Sequence, residues 1–233
     1  MLRAYLFLLV FIPLTFAIAF SAIIFTFIDG SGAMYHRHAR FWARTALFLA
    51  GVTVEVRGEE KVPRDKPVIF MCNHQGNFDI LALFRAIPVK FAWIAKEELF
   101  HIPVFGHSMA RAGYIPLDRS DGRRALKSMD SAAARIREGA NVVIFPEGTR
   151  TPDGALLPFK RGGFLVACRA GVPIVPVTIN GSMQVNPRNR LELYPGTVRI
   201  SFGEPIATAG SGRGKDELLM EQVKMAIEEC LEK

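Results

Sequence analysis

The sequence predicts an α/β domain: a single unit with a mostly parallel central sheet flanked by helices, preceded by an N-terminal apolar and amphipathic helical segment that associates with a membrane. Three observations carry that expectation. From residue 51 onward, short apolar runs rich in β-formers alternate with helical patterns, and alternation on this scale gives parallel strands joined by crossover helices. Ala4 to Ile28 is 25 residues without a charge. The stretch Asn73-His74-Gln75-Gly76-Asn77-Phe78-Asp79 directly follows the apolar run Val68-Ile69-Phe70-Met71. That order puts it at the carboxyl end of a buried strand, where α/β folds carry their chemistry. The boundaries that result are 1–50 for the membrane-associating helices and 51–233 for the α/β domain.

As a helix, Ala4–Ile28 would be about 37 Å long, enough to reach across a bilayer's hydrocarbon core. A cleaved secretory signal is the competing reading. Its apolar part would be unusually long, and no clear small-x-small cleavage site precedes Asp29, so a retained element is expected. Pro13 is expected to kink that helix or split it in two. In residues 34–50, Arg37, Arg40 and Arg44 fall on one helical face and Tyr35, Trp42 and Leu49 on the opposite one. An aromatic face against a basic face suits a helix lying in the membrane interface; a surface helix packed on the domain is the alternative, and Leu47 blurs the stripe. The arginines also bias the α/β domain towards the cytoplasmic face of the cell membrane.

Within the domain, strands are predicted at Val52–Val56, Pro67–Met71, Lys90–Ala95, Asn141–Phe145, Ile174–Ile179 and Val198–Phe202. Helices are predicted at Phe78–Ala86, Asp121–Glu138, Phe164–Arg169 and Lys215–Glu232, with Gly210–Gly214 as a flexible connection before the last.

Net charge is +7, which suits an anionic partner. Nothing in the sequence carries a nucleic-acid signature. The three cysteines, Cys72, Cys168 and Cys230, are odd in number and far apart. That spacing argues against a disulfide framework or metal site and fits a reducing compartment. No glycine-rich nucleotide loop and no metal-ligand spacing occurs, so neither a metal nor a tightly held cofactor is expected.

His74 and Asp79 are five residues apart, about 140° on a helix, so they would not share one helical face. With His74 in the loop and Asp79 in the first helical turn, the carboxylate could reach one ring nitrogen and fix the tautomer. The other nitrogen would then be free as a general base. From this stretch alone, a satisfied core histidine is the other reading. A second strand-end loop is Phe145-Pro146-Glu147-Gly148-Thr149-Arg150. Pro146 and Gly148 would shape a tight turn that exposes backbone amides and the Arg150 guanidinium together, a combination suited to phosphate. Glu147 could bond a hydroxyl of a glycerol backbone; an exposed Arg150–Glu147 pair is the alternative. Gly106-His107-Ser108-Met109-Ala110 resembles a hydrolase nucleophile elbow, but no histidine follows Ser108, as that chemistry requires.

Asn73-His74, four residues and Asp79 resemble the signature of the glycerolipid acyltransferases. Gly113-Tyr114-Ile115-Pro116-Leu117-Asp118-Arg119, the Phe145–Arg150 loop and Val172-Pro173-Ile174-Val175-Pro176-Val177 resemble three further blocks of that family, in family order. Lys96-Glu97-Glu98-Leu99 and Phe159-Lys160-Arg161-Gly162 look like family segments too. The resemblance covers roughly residues 50 to 205 and is closest to the 1-acyl-sn-glycerol-3-phosphate acyltransferases. Pro116 and Gly76, where a serine is common, depart from the pattern. The resemblance implies His74 and Asp79 as catalytic residues. It implies Lys96, Arg119, Glu147, Gly148, Thr149 and Arg150 as substrate-binding residues, with Lys160 and Arg161 near a donor phosphate or lipid headgroup. The implied reaction moves a fatty acyl group from acyl-CoA or acyl-acyl carrier protein to the sn-2 hydroxyl of lysophosphatidic acid. The implied setting is anionic lipid on the inner face of the cell membrane. Another lysolipid acceptor, such as a lyso-ornithine lipid, and a non-catalytic anionic-lipid-binding protein are the alternatives.

Overall fold

The computed structural model describes residues 2–26, 29, 31–117, 122–187, 190–208 and 215–232. Two helices, α1 (Leu2–Thr26) and α2 (Ala33–Ala50), precede β1 (Val52–Arg57). The chain continues through β2 (Ile69–Cys72), α3 (Phe78–Ala86), β3 (Ala92–Lys96), α4 (Phe105–Arg111), β4 (Ile115–Leu117) and α5 (Gly122–Arg137). It then runs through β5 (Val142–Ile144), α6 (Arg161–Ala170), β6 (Ile174–Asn180), α7 (Ser182–Val185), β7 (Gly196–Phe202) and α8 (Lys215–Glu228).

Among the described residues the sheet has seven strands in the order β1-β7-β6-β2-β5-β3-β4. Five neighbours, from β6 to β4, are mutually parallel; β7 runs antiparallel to β6, and β1 parallel to β7. Every residue of β2, β5 and β6 is buried. This is why these segments read as unbroken apolar runs instead of alternating ones: helices cover both faces of a parallel sheet. Pro176 fits inside β6 because the antiparallel ladder to β7 begins one residue later, at Val177. Since β2, β5 and β3 are adjacent and parallel, the loops that leave their carboxyl ends converge on one edge.

The N-terminal helices form an antiparallel hairpin. Arg3 donates to the Ala50 carbonyl (2.8 Å) and the Trp42 indole to Thr15 Oγ1 (2.9 Å), and Ser21 lies against His38 (3.4 Å). Pro13 sits inside α1 without dividing it. Its missing amide leaves the Leu9 carbonyl one turn earlier without its helical donor, and two residues on the Thr15 hydroxyl bonds the Phe11 carbonyl (2.7 Å). The arginine face of α2 is also divided in its partners. Arg40 reaches the Phe84 carbonyl (3.2 Å) and the Ile87 carbonyl at the end of α3, satisfying acceptors left open by the last helical turn. Arg37 and Arg44 remain exposed. So α2 is both a packed helix of the domain and a surface one.

Candidate active site

His74 leaves the carboxyl end of β2 and is held on four sides. Its Nδ1–H donates to Asp79 Oδ2 at 2.7 Å. Its backbone amide donates to Glu147 Oε1 at 2.6 Å, and its carbonyl accepts from the Thr151 amide at 2.8 Å. Its ring stacks on Phe145 with centroids 3.9 Å apart and planes 14° apart, and Phe145 in turn stacks on Trp93. With Nδ1 committed, Nε2 is the nitrogen left for a substrate, and the imidazole lines a cavity of about 710 Å³. The next residue back, Asn73, ties the strand end to β6 by a pair of bonds, to the Ile179 carbonyl (2.9 Å) and from its amide (2.7 Å).

Asp79 is fully buried in the first turn of α3. Its Oδ2 also accepts the Gln75 and Gly76 amides at 2.7 and 2.9 Å, so loop and helix start are closed on one oxygen. Three donors thus converge on one carboxylate oxygen at the positive end of α3. Its Oδ1 finds no partner among the described residues. Gly76 answers to space here: a Cβ would stand 3.0 Å from the Ser182 carbonyl oxygen at the start of α7.

Glu147 departs from expectation. It is buried, and both oxygens are taken by backbone amides, Oε1 by His74 and Oε2 by Leu157 (2.9 Å). It is not oriented as a ligand for a substrate hydroxyl, and it forms no ion pair with Arg150. Burial pushes its carboxyl above the ordinary range, while the Leu157 and His74 amides pull the other way. Arg150 instead donates to Asn77 Oδ1 at 2.8 Å, just before α3. Asn77 passes the tether on to Asn186 (2.9 Å).

Lys96, Gly148, Thr149, Arg150 and Lys160 join His74 in lining the cavity. Its body is apolar, and α1 forms part of its wall through Thr15, Ile18, Ala19 and Ala22. A lining that includes cations, one imidazole and many apolar side chains can hold a phosphate, a hydroxyl and a hydrocarbon chain at once. Residues 53–180 match the family model described as Acyltransferase. The chain belongs to the acyltransferase family.

Relatives within that family sharpen the comparison. The chain is 35% identical over 199 residues to the chloroplastic 1-acyl-sn-glycerol-3-phosphate acyltransferase of Brassica napus, covering 84% of this chain and 56% of that protein. It is 35% identical over 185 residues to the 1-acyl-sn-glycerol-3-phosphate acyltransferase of Pseudomonas aeruginosa, covering 77% and 71%. The chain thus spans little more than half the length of its plant relatives. The crystal structure of the 1-acyl-sn-glycerophosphate (LPA) acyltransferase PlsC from Thermotoga maritima superposes with a TM-score of 0.82 at 27% identity, over 99% of this chain and 95% of that one.

As an acyltransferase-family fold, the structure sorts the remaining expectations. Arg119 lies outside the described residues. Arg161 is engaged with Asp216 on α8 through two guanidinium nitrogens. Ser108 is buried inside α4 and donates to the Phe105 carbonyl (2.7 Å), which agrees with rejecting a nucleophile elbow. Missed from sequence were the structural role of Glu147, the Asn77 tether on Arg150 and the aromatic stack behind His74. Asn77 lies inside the family signature, so its position was visible; its partner was not.

Proposed function

We propose that this protein transfers a fatty acyl group from an acyl thioester, acyl-CoA or acyl-acyl carrier protein, to the sn-2 hydroxyl of lysophosphatidic acid, forming phosphatidic acid. The observation that carries this reading is the His74–Asp79 pair in a cavity whose lining combines Lys96, Arg150 and Lys160 with many apolar side chains. His74 Nε2 takes the hydroxyl proton as the oxygen attacks the thioester carbonyl. Asp79 steadies the imidazolium, and the tetrahedral intermediate collapses by expelling the thiolate, which His74 reprotonates. The substrate alcohol is the nucleophile, so no enzyme nucleophile is needed. A thioester is already activated, and positioning with one base accounts for the chemistry without a resident metal or cofactor.

The reading includes a membrane. Leu2–Phe25 is long and apolar enough to cross one, and its outer face is open, with Leu9 72% and Phe20 63% exposed. Because α1 also walls the cavity, we infer that it lies in the bilayer's surface layer and does not leave the domain to cross. The exposed Arg37 and Arg44 suit anionic lipid on the cytoplasmic face of the inner membrane.

The decisive experiment compares lysophosphatidic acid with monoacylglycerol, which keeps the tail and hydroxyl but lacks the phosphate. A charge-assisted contact contributes about 1.5–3 kcal/mol, so a preference of roughly 10- to 150-fold is expected. Arg150→Ala should remove most of it by weakening use of lysophosphatidic acid alone. Arg150→Lys should restore part, keeping the charge without the planar fork. Equal use of both acceptors by the unaltered protein would sink the phosphate-reading role.

A further inference from the structure

Between β3 and α4 the chain makes a turn that is expensive twice over. Val104 has φ 64° and ψ −57°, and it is the one non-glycine residue with positive φ among those described. The Phe105 amide donates to the Pro103 carbonyl at 2.6 Å, closing a γ-turn of the rare, strained hand around a β-branched side chain. The turn is then folded hard against its own start. A Cβ on Gly106 would stand 2.0 Å from the Phe100 carbonyl oxygen, and only glycine permits that approach.

What this strain achieves is the display of oil. Leu99, Ile102, Val104 and Phe105 are 38%, 45%, 41% and 39% exposed, within seven residues of chain. Burying them in the domain would need only an ordinary turn. Strain held where an apolar cluster faces outward points to an apolar partner. Two observations identify it. Leu99 and Phe105 line the same cavity as Ile18, Ala19 and Ala22 of α1, and α4 packs directly on α1. The exposed turn thus borders the same cavity as α1, the helix that also carries the exposed Phe16, Phe20 and Ile24 (58%, 63% and 48%).

We propose that the 99–105 turn is a second bilayer-inserting element, a wedge that dips into the lipid beside α1 so that the cavity opens sideways into the membrane. The one-tailed acceptor then passes from the bilayer into the cavity between two lipid-embedded walls and need not leave for water. The strained γ-turn fixes the projection of Ile102 and Val104, which a flexible loop would fold back onto the domain. This proposal rests on the membrane reading above.

The test uses the full chain with vesicles of phosphatidylcholine and phosphatidylglycerol. In an Ile102→Trp variant, the fluorescence in excess of the parent should shift to the blue and be quenched when the acyl chains carry bromine. Sedimentation with vesicles is measured alongside. If the protein sediments but the added fluorescence is unquenched, the wedge is refuted and the membrane reading stands. If it does not sediment, both fall. A second variant, Ile102→Asp, should weaken vesicle partitioning by about tenfold. Leu218→Asp, an equal charge change on the exposed face of α8 (63% exposed), should leave it within about twofold. Equal losses in the two would overturn the wedge, since they would report net charge alone.

Discussion

At the His74 loop nearly every polar atom is satisfied inside the protein. The residue's amide, carbonyl and Nδ1 all have partners, and Asp79 closes the loop with three donors on one oxygen. Along α1 the reverse holds: few polar atoms need partners, and large apolar side chains stand open. The two regions meet at one cavity, yet they are built for different solvents. The first is specified by hydrogen bonds, which need fixed geometry and hold the imidazole rigidly. The second is specified by an absence of polarity and, on the membrane reading proposed above, is completed by lipid.

The largest expected effect breaks the loop side of this contrast. His74→Ala should lower turnover by about 10²- to 10⁴-fold, the scale for removing a general base, with the melting temperature of the detergent-solubilised protein little changed. Asp79→Asn should also cost turnover: the amide oxygen can replace Oδ2 and still accept the Nδ1–H, but a neutral group no longer steadies the imidazolium. Both losses should be the same for vesicle-borne and for short-chain, water-soluble acceptors. A loop variant that spared the soluble acceptor would mean that His74 acts through lipid access and not through chemistry.

Glu147 sharpens the contrast, because its two explanations separate in kinetics. If it positions His74, Glu147→Gln should lower kcat with KM for the acceptor within about twofold, and it should cost about 3 kcal/mol of stability, since one buried amide loses its charged acceptor and another faces a donor. A raised KM at unchanged kcat would make Glu147 a substrate ligand after all.

How far the sequence shows these two designs differs for a physical reason. The strands at Ile69, Val142 and Ile174 were legible because burial on both faces leaves an uninterrupted apolar run, and the edge strand at Val52 because its valines alternate with Thr53, Glu55 and Arg57. The helix at Phe78–Ala86 matches the expected span. His74 and Asp79 were legible because a loop residue and a first-turn carboxylate are near each other in sequence. What escaped was contact across sequence distance. Glu147 is 73 residues from the amide it holds, and Arg40 lies 44 residues from Phe84, so periodicity says nothing of either. The edge strand β4, only Ile115–Leu117, and the seven-residue α4 are too short to show a period. The strained turn before α4 was invisible, because a valine at positive φ contradicts the local preference that sequence reading relies on.

On the hairpin side, the arginines of α2 should divide in the same way as their partners. Arg40→Ala removes a cation from the α3 carbonyls and should cost about 2 kcal/mol of stability. Arg44→Ala should cost nothing measurable in stability, yet should weaken binding to anionic vesicles at low salt. If Arg40→Ala left stability intact, α2 would be a membrane helix only lightly held by the domain.

The smallest effect concerns the seam between the two regions. His36 of α2 is buried against the Phe84 and Phe91 rings, and its Nε2 has no partner among the described residues. Burial first, then the positive charges of Arg40 and Lys90, lower its pKa from 6.5 to about 4. The sign comes from proton binding. Between about pH 6.5 and pH 4 the unfolded chain binds a proton at this position that the folded chain refuses, so stability falls as the pH falls through that window. At pH 5.5 the loss is only about 1 kcal/mol, because most of the window lies below. His36→Phe keeps the ring packing, removes the orphaned nitrogen and cannot be protonated. Its melting temperature should therefore exceed the parent's by more at pH 5.5 than at pH 7.5. The same gap at both pH values would show that His36 is not held neutral, and that the seam between hairpin and domain admits water.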